Sequence, residues 1–259
     1  MHPLRFGTLF SGSSGNSVFV EYNNTRLLID IGRGPRVTQR ALEAVGCCGS
    51  RIDAVFVTHE HGDHISGVGR IAGRHEIPVH LPRGCATSAA GLPEDTHLHD
   101  PIFEAEVGAD GVRVTSFATP HDSRMSVGYI VQAGGYRLGV ATDMGMLTKG
   151  VVAALAGCHS VVIESNYDPR MLENGQYPAF LKRRILSDKG HLSNADGALL
   201  AAVLVNAGTE NVILAHLSDE NNTPALALEA TAEELARRNL RANVLTADRH
   251  MPTLVNVGA

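Results

Sequence analysis

The amino-acid sequence predicts a protein of mixed α and β structure. Short apolar runs typical of strands are followed by helical segments, and this order occurs twice, before and after roughly residue 120. Apolar residues make up 44% of the 259 residues and glycine contributes 27, a composition that suits a compact α/β protein. No linker or low-complexity tract interrupts the chain, so we expect a single domain over residues 1–259.

Four strands and two helices are predicted in the first half. The strands are apolar runs bounded by turn residues, namely Arg5–Phe10, Val18–Tyr22, Arg26–Asp30 and Asp53–Thr58. Asn23 and Asn24 are typical of a hairpin turn between two of them. A helix is predicted over Arg36–Val45, because Gly46 is a typical helix end, and a shorter helix over His64–His75.

Six strands and two helices are predicted in the second half. The strands are Val112–Phe117, Ser126–Ala133, Tyr136–Ala141, Ser160–Glu164, Asn211–Ala215 and Ala242–Thr246. One helix is expected over Asn194–Ala207, with Asn194 as its N-terminal cap. The strongly periodic segment Pro224–Arg238 predicts the other.

The segment from Thr58 to His64 carries the strongest functional signal. It places three imidazoles and a carboxylate directly after an apolar strand. Neutral imidazole binds borderline metals, and Asp adds a hard anionic oxygen. If the strand end stays extended, His59 and His61 point the same way and can share one metal. Asp63 and His64 lie just beyond, where the chain turns, and can reach a second metal.

His-x-His-x-Asp-His at the end of a strand resembles the metallo-β-lactamase superfamily. Four other parts of that family's pattern recur in order, namely the strand ending in Asp30, Thr119-Pro120-His121, Ala141-Thr142-Asp143 and Ala215-His216-Leu217-Ser218. The resemblance implies a four-layer αββα sandwich, in which two sheets pack face to face with helices outside. The pattern of strands and helices alone gives only a mixed α and β fold.

Three further segments resemble the WalJ/YycJ-type branch of the superfamily. They are Ser11–Ser17, Gly190–Asn194 and the stretch from His216 to Asn222. Members of that branch are described as single-domain 5′ exonucleases or phosphodiesterases, so the resemblance implies DNA as the substrate. The same places are similar to tRNase Z, where a strand-end Glu and a His assist phosphodiester cleavage. The matching residues here are Glu164 and His191.

The resemblance implies two divalent metal ions, zinc or manganese with iron as a further candidate, and no organic cofactor. The expected ligands are His59, His61 and His121 for the first metal, Asp63, His64 and His216 for the second, and Asp143 for both. Two metals ~3.5–4 Å apart clamp the attacking and leaving oxygens at phosphorus, and a hydroxide between them is nucleophilic at neutral pH. We therefore expect a hydrolase, and most specifically a DNA 5′-exonuclease.

The expected catalytic residues are Asp63, Glu164 and His191. A protonated His191, held by Glu164, could donate a proton to the leaving oxygen. Glu164 could instead be a buried structural carboxylate, and His191 a histidine at the start of a helix. Asp30 could accept a hydrogen bond from a ligating histidine, or make only a local turn contact near Gly32.

Substrate binding is expected from small polar residues around the site. Ser13 and Asn16 lie in a loop that permits close approach of a phosphate, and Asn221 could shape the same rim with His191. A plain turn is the alternative for Ser13, Asn16 and Asn221. The basic run Lys182-Arg183-Arg184 could hold phosphates or form a solvated helix face.

Bulk properties restrict the partners. The net charge of −5 excludes a surface that attracts nucleic acid everywhere, so any contact must come from a local basic patch and the metals. Arg33 and Arg36 are candidates for such a patch, or ordinary surface residues. The four cysteines, of which Cys47 and Cys48 are adjacent, are expected to be reduced and structural. No stretch approaches the ~18 apolar residues of a membrane span, and 1–7 lacks a signal-peptide core, so we expect a cytoplasmic protein with no membrane partner.

Three alternative functions are considered. The main one is hydrolysis of a small thioester, lactone or cyclic nucleotide on the same fold, since the metals would serve equally well. The pairing of Glu164 with His191 disfavours it. A redox role like that of flavodiiron proteins is disfavoured, because they resemble His-x-Glu-x-Asp and position 61 here is His. A binding module without activity is disfavoured by the complete set of ligands.

Overall fold

Strands and helices alternate along residues 4–257, which are the residues that the computed structural model describes. The strands are β1 (Leu4–Phe10), β2 (Ser17–Tyr22), β3 (Thr25–Ile29), β4 (Ala54–Phe56), β5 (Val79–Pro82), β6 (Thr96–His99), β7 (Glu104–Val107), β8 (Val112–Ala118), β9 (Val127–Ala133), β10 (Tyr136–Ala141), β11 (Ser160–Glu164), β12 (Asn211–Ala215), β13 (Asn243–Thr246) and β14 (Thr253–Val257). The helices are α1 (Pro35–Ala44), α2 (Gly62–Ile65), α3 (Val68–His75), α4 (Lys149–Leu155), α5 (Pro169–Asn174), α6 (Ala179–Ile185), α7 (Asn194–Asn206) and α8 (Pro224–Arg237).

The strands form two mixed sheets of seven. The first has the order β14-β1-β2-β3-β4-β5-β6 and the second the order β13-β12-β11-β10-β9-β8-β7. Neighbours from β3 to β6 are parallel, as are those from β10 to β13. Parallel strands end at one edge of their sheet, so each sheet presents a row of strand-end loops along that edge.

The sheets pack face to face, with helices on both outer faces. Alternation within β4 shows the arrangement, because Phe56 is buried between the sheets and Val55 is buried beneath α1 and α3. On the other side, α4, α7 and α8 cover the second sheet through Val151, Leu200 and Leu235. The prediction of a four-layer αββα sandwich is therefore confirmed.

The predicted elements are present within two residues at either end, with two corrections. His64–His75 is not one helix: it breaks at Ser66 and Gly67, where the Gly67 N–H donates to the Ile31 carbonyl at 2.8 Å. A Cβ on Gly67 would lie 2.0 Å from the Arg33 carbonyl oxygen, so this close approach requires glycine.

The second correction concerns α7. Its cap is Ser193, whose hydroxyl accepts from the Asp196 N–H at 3.1 Å, and not Asn194. The Asn194 side chain is instead buried, and its amide nitrogen donates to Asn222 Oδ1 at 2.9 Å.

Several short elements were not predicted, namely β5, β6, β7, β14, α4, α5 and α6. Most have four to seven residues, and β6 and β7 are half-exposed edge strands with polar sequences, so periodicity gives little signal. All four cysteines are free, as predicted.

None of the helices within 4–257 combines the length and the apolar character that crossing a bilayer requires. The prediction drawn from 1–7 lies partly outside the described residues.

Candidate metal centre and active site

The candidate site lies on the strand-end loops of both sheets. Three of its residues, Asp30, Asp143 and His216, follow β3, β10 and β12 and have φ values of 63°, 59° and 57°. This left-handed backbone is uncommon for residues other than glycine and costs about 1–3 kcal/mol at each position. Strain of this kind concentrates at functional sites, where it aims side chains that an ordinary strand end would direct elsewhere.

One group of side chains consists of His59, His61 and His121. Their ligand atoms all lie within 4.8 Å of one another. His121 donates through Nδ1 to the Gly190 carbonyl oxygen at 3.1 Å, which leaves its Nε2 lone pair facing His61 Nδ1 at 3.2 Å. His59 is fully buried, and its Nε2 has no hydrogen-bond partner within residues 4–257. A buried, unpartnered imidazole nitrogen beside two others is what a metal ligand requires.

A second group consists of Asp63, His64 and His216, again with ligand atoms within 4.8 Å. His64 Nδ1 lies 2.8 Å from Asp30 Oδ2, so its Nε2 faces Asp63 Oδ2 at 3.5 Å. His216 Nδ1 lies 2.9 Å from a Glu164 oxygen, and its Nε2 faces Asp63 Oδ2 at 3.3 Å. In both rings a carboxylate holds one nitrogen and turns the other toward the group.

Asp143 lies between the two groups and is almost completely buried. Its Oδ1 is 3.8 Å from His121 Nε2, and its Oδ2 is 3.1 Å from His64 Nε2. That Oδ2 accepts no well-oriented hydrogen bond from the described residues. The position is compatible with a carboxylate that contacts both groups.

Opposing charges shape the titration of these residues. Burial alone would raise the pKa of Asp143, but His216 and His64 hold that pKa well below its usual range. Burial alone would lower the pKa of His216, but Asp143, Asp63 and Glu164 raise it to about 10. Imidazole nitrogens and carboxylate oxygens converging in this way suit a divalent metal.

Glu164 and His191 form a pair next to the metal-binding groups. Glu164 is fully buried, and its Oε2 accepts from the backbone N–H groups of Met144 and Leu192 at 2.9 and 3.0 Å. Its Oε1 lies 2.8 Å from His191 Nδ1 and is the same oxygen that contacts His216. Burial would raise the pKa of Glu164, but its hydrogen bonds and the charge of His191 hold it at about 2. Glu164 therefore stays ionised and orients two histidines at once.

These side chains surround a cavity of about 390 Å³. The residues that line it are Ser13, His61, Gly62, Asp63, Asp143, Asn166, Tyr177, Leu181, Arg184, Ile185, His191, His216 and Ser218. Members of both metal-binding groups and His191 therefore face one space that a small ligand can occupy.

The sequence profile of the Beta-lactamase superfamily domain matches residues 25–217, which include both metal-binding groups. The chain belongs to the beta-lactamase superfamily. It is 31% identical to Exodeoxyribonuclease YycJ of Bacillus anthracis, over 97% of this chain and 98% of that protein. It is also 31% identical to Exodeoxyribonuclease WalJ of Streptococcus pneumoniae, over 93% of this chain and 91% of that protein. These relatives are hydrolases, and the prediction that this chain is a hydrolase is confirmed.

Solved structures show the superfamily fold. The metallo-beta-lactamase fold protein YhfI from Bacillus subtilis has a TM-score of 0.74 at 14% identity, and the comparison covers 98% of this chain and 99% of that one. Human tRNase Z, short form, has a TM-score of 0.66 at 16% identity and covers 98% of this chain and 100% of that one. At these identities the likeness concerns the fold alone.

The predicted ligands and supporting residues of this superfamily member thus lie together, whereas only Ser13 and His191 of the four predicted substrate residues line the cavity. Ser13 is exposed and lines the cavity. Asn16 does not line it: its amide nitrogen lies 3.4 Å from Asp63 Oδ2, and its oxygen accepts from the Gly12 N–H at 2.9 Å. Asn221 is buried, and a Cβ on Gly175 would lie 2.5 Å from its Oδ1. Asn16 therefore contacts two predicted metal ligands, Asp63 and His64, and the buried amide of Asn221 has no hydrogen-bond partner among the described residues.

Some cavity residues lie on the unpredicted α6 or just before it, so their place in the site was not predicted. Tyr177 and Arg184 both line the cavity. Arg184 makes an ion pair with Asp122, which lies 3.3 Å from His121 Nε2. The basic run containing Arg184 and the position of Asp122 next to His121 were the available signals, but the sequence could not bring them together.

Proposed function

We propose that this protein is a two-metal phosphodiesterase that removes nucleotides from the 5′ end of DNA, acting as a single domain over residues 1–259. The observation that carries the proposal is the cavity itself. Two groups of metal-binding side chains, with Asp143 between them, border the same space as His191, whose ring is held by Glu164. Relatives named exodeoxyribonucleases, at 31% identity over nearly the whole chain, support the choice of substrate.

The metals would be held by the side chains that converge in the site. The first would take His59, His61 and His121, the second Asp63, His64 and His216, and Asp143 would reach both. When bound, divalent metals supply an activated water and positive charge on the phosphate oxygens. Zinc, manganese and iron all accept these donors.

His191 would act as the general acid. Its Nδ1 is held by Glu164, so its other ring nitrogen is free to serve the cavity that it lines. An imidazolium at this position can donate a proton to the leaving oxygen of a phosphodiester. Glu164 acts through His191 and His216, and Asp30 acts through His64, so both are positioning residues. Asp63 lines the cavity and would take part in the reaction as a metal ligand.

The shape of the site favours a terminal nucleotide over an internal one. A cavity of about 390 Å³ is in the range of small-molecule sites, which suits one nucleotide at a chain end. Ser13 and Arg184 line its rim and offer a hydroxyl and a guanidinium to a terminal phosphate.

The test uses metal-depleted protein reloaded separately with manganese and zinc. Single- and double-stranded DNA, with 5′-phosphate or 5′-hydroxyl ends, is incubated with the loaded protein, with RNA in parallel. Asp63→Ala is the disabled variant, and Asp95→Ala, an exposed Asp beside a different histidine, is its matched control.

We expect metal-dependent release of mononucleotides from the 5′ end of DNA, lost in Asp63→Ala and kept in Asp95→Ala. Equal cleavage of RNA would remove the DNA preference. Intact nucleic acid in the presence of bound metals would overturn the proposal and favour hydrolysis of a small thioester, lactone or cyclic nucleotide.

A further inference from the structure

A groove separate from the candidate active site runs between α1 and α3 and has a volume of about 570 Å³. Four arginines line it in two pairs, Arg36 with Arg40 on α1 and Arg70 with Arg74 on α3. Each pair is spaced by four residues, so its members lie one above the other on the same helix face. The groove is thus bordered by two pairs of arginine side chains, one pair on each helix.

The charge of the groove is not neutralised by the protein. All four arginines are exposed, and the arginine ion pairs within residues 4–257 are made by other arginines. Glu43 is the one acidic side chain among the lining residues, and it accepts a hydrogen bond from Gln39. In a chain of net charge −5, such a concentration of free arginines marks a site for an anionic partner.

The groove begins next to the candidate active site. α1 starts at Pro35, shortly after Gly32. Gly32 packs closely on Asp63, because a Cβ added at Gly32 would lie 1.7 Å from the Asp63 carbonyl oxygen. α3 starts after Gly67, whose N–H donates to the Ile31 carbonyl. Both helices therefore begin at the same loop beside Asp63, and Arg36 and Arg70 lie in their first turns. Arg40 and Arg74 lie one turn farther from that loop, about 6 Å beyond Arg36 and Arg70 along the axis of each helix.

Arg33 connects the groove with the cavity rim. Its guanidinium donates to the hydroxyl of Ser14, next to Ser13 of the cavity lining. Arg33 therefore lies between the cavity rim and the start of α1, which carries Arg36.

We propose that the groove between α1 and α3 binds the phosphodiester backbone of the nucleic-acid strand whose end occupies the active site. This inference rests on the proposed function, because the proposed function places the end of the strand in the active site. Arginine suits the task, because its planar guanidinium pairs with phosphate oxygens through two hydrogen bonds and stays charged at all working pH values. The contacts are to the backbone, so they add affinity and length dependence without sequence preference.

The test compares two variants with the same change of charge. The groove variant carries Arg36→Gln, Arg40→Gln, Arg70→Gln and Arg74→Gln. The control variant carries Arg83→Gln, Arg113→Gln, Arg237→Gln and Arg238→Gln, four surface arginines paired with acidic side chains elsewhere. Thermal unfolding verifies that both fold. Turnover is measured with bis(p-nitrophenyl) phosphate, with a dinucleotide and with a long single strand. Binding of a labelled long strand is measured by fluorescence anisotropy in the presence of a chelator.

We expect the groove variant to bind the long strand at least tenfold more weakly, with kcat/KM reduced to match and the small ester turned over within twofold of the unmodified protein. The slope of log affinity against log salt, between about 50 and 200 mM, should fall by about 3, since each single-strand phosphate contact contributes about 0.7. The control variant should keep both affinity and slope.

Equal losses in the two variants would overturn the proposal, because they would reflect net charge alone. So would unchanged binding by the groove variant, or competition by polyglutamate as strong as that by unlabelled DNA. Failure of the proposed function is distinguishable, since groove-dependent binding in chelator does not require cleavage. Cleavage without groove-dependent binding would remove the groove proposal and leave the proposed function intact.

Discussion

The protein contains two clusters of histidines that differ in what surrounds them. The site cluster comprises His59, His61, His64, His121, His191 and His216. Five buried or half-buried carboxylates lie among its rings, namely Asp30, Asp63, Asp122, Asp143 and Glu164. The stacked cluster comprises His80, His97 and His99 on β5 and β6. There His80 stacks on Phe56 with ring centroids 4.7 Å apart and planes 10° apart, and on His97 at 4.8 Å and 17°.

The surroundings move the pKa values of His80 and His216 in opposite directions. In the stacked cluster, burial and the neighbouring His97 and His99 lower the pKa of His80 to about 4. In the site cluster, His216 is more deeply buried, yet Asp143, Asp63 and Glu164 raise its pKa to about 10. Partners, and not burial alone, decide the charge of a buried histidine.

The backbone explains why only one cluster can hold a metal. His80 and His97 are directly paired across neighbouring parallel strands, so their rings point the same way and stack. The histidines of the site cluster other than His191 follow strand ends, where left-handed backbone at Asp143 and His216 turns side chains inward. Within residues 4–257, the groups suited to a metal all belong to the site cluster and its carboxylates. Histidine density is therefore a weaker signal than strand-end placement with carboxylates.

The largest effect is expected from Asp143→Asn, because that carboxylate lies between both metal-binding groups. Asn keeps the shape and tolerates the left-handed backbone, so the fold should persist. Metal content and phosphodiester turnover should fall, turnover by more than about 100-fold, since even supporting residues are worth 10–100-fold. Asp95→Asn, beside His97 of the stacked cluster, should change neither by more than twofold. Full metal content and activity in Asp143→Asn would contradict the assignment.

The next effect is expected from Glu164→Gln. The Glu164 Oε1 contacts both His191 and His216, so the amide removes a charge from two histidines at once. Turnover should fall about 10–100-fold, and metal affinity should fall with it through His216. Glu173→Gln, on the exposed end of α5, serves as the control. A loss of turnover with unchanged metal affinity would assign Glu164 to His191 alone.

A smaller effect is expected from Arg184→Gln, on the side of the site cluster that faces solvent. Arg183 and Arg184 are both exposed, but only Arg184 lines the cavity, where it pairs with Asp122. Arg184→Gln should lower kcat/KM for DNA about fivefold, corresponding to about 1 kcal/mol, with metal content unchanged. Arg183→Gln should stay within twofold. If both variants lower kcat/KM equally, the basic run Lys182-Arg183-Arg184 acts through its overall positive charge and not through a specific contact of Arg184.

The site cluster could be predicted because its signals are local. Spacing within a few residues of a strand end placed His59, His61, Asp63 and His64 together, and the resemblance supplied the distant members. The layer arrangement also came from the resemblance, since alternation alone gives strands without their order.

What the sequence could not predict depends on contacts between distant segments. The break before α3 arises because Gly67 packs on the Ile31–Arg33 loop. Asn16 and Asn221 were expected at the substrate, but neither lines the cavity, and Asn16 instead contacts Asp63 and His64. The pairing of Asp122 with Arg184 joins residues 62 positions apart, and α6 is too short for periodicity to place it.

The smallest effect is expected in the stacked cluster, from His80→Phe. His80 Nδ1 is buried without a hydrogen-bond partner in the described part of the chain, so an aromatic ring without nitrogen should leave stability at pH 7 unchanged or raise it by about 1 kcal/mol. The pKa of His80 is about 4 in the folded state against 6.5 for an unperturbed histidine. Between these values the unfolded chain binds the proton more tightly, so acidification from pH 6.5 to 4 destabilises the native protein. His80→Phe should therefore lose less stability over that window, measured by urea unfolding at several pH values. His97→Gln removes one of the charges that lower the His80 pKa, so its loss should lie between those of His80→Phe and the unmodified protein. Identical pH dependence in all three proteins would show that His80 is not held neutral by its aromatic neighbours.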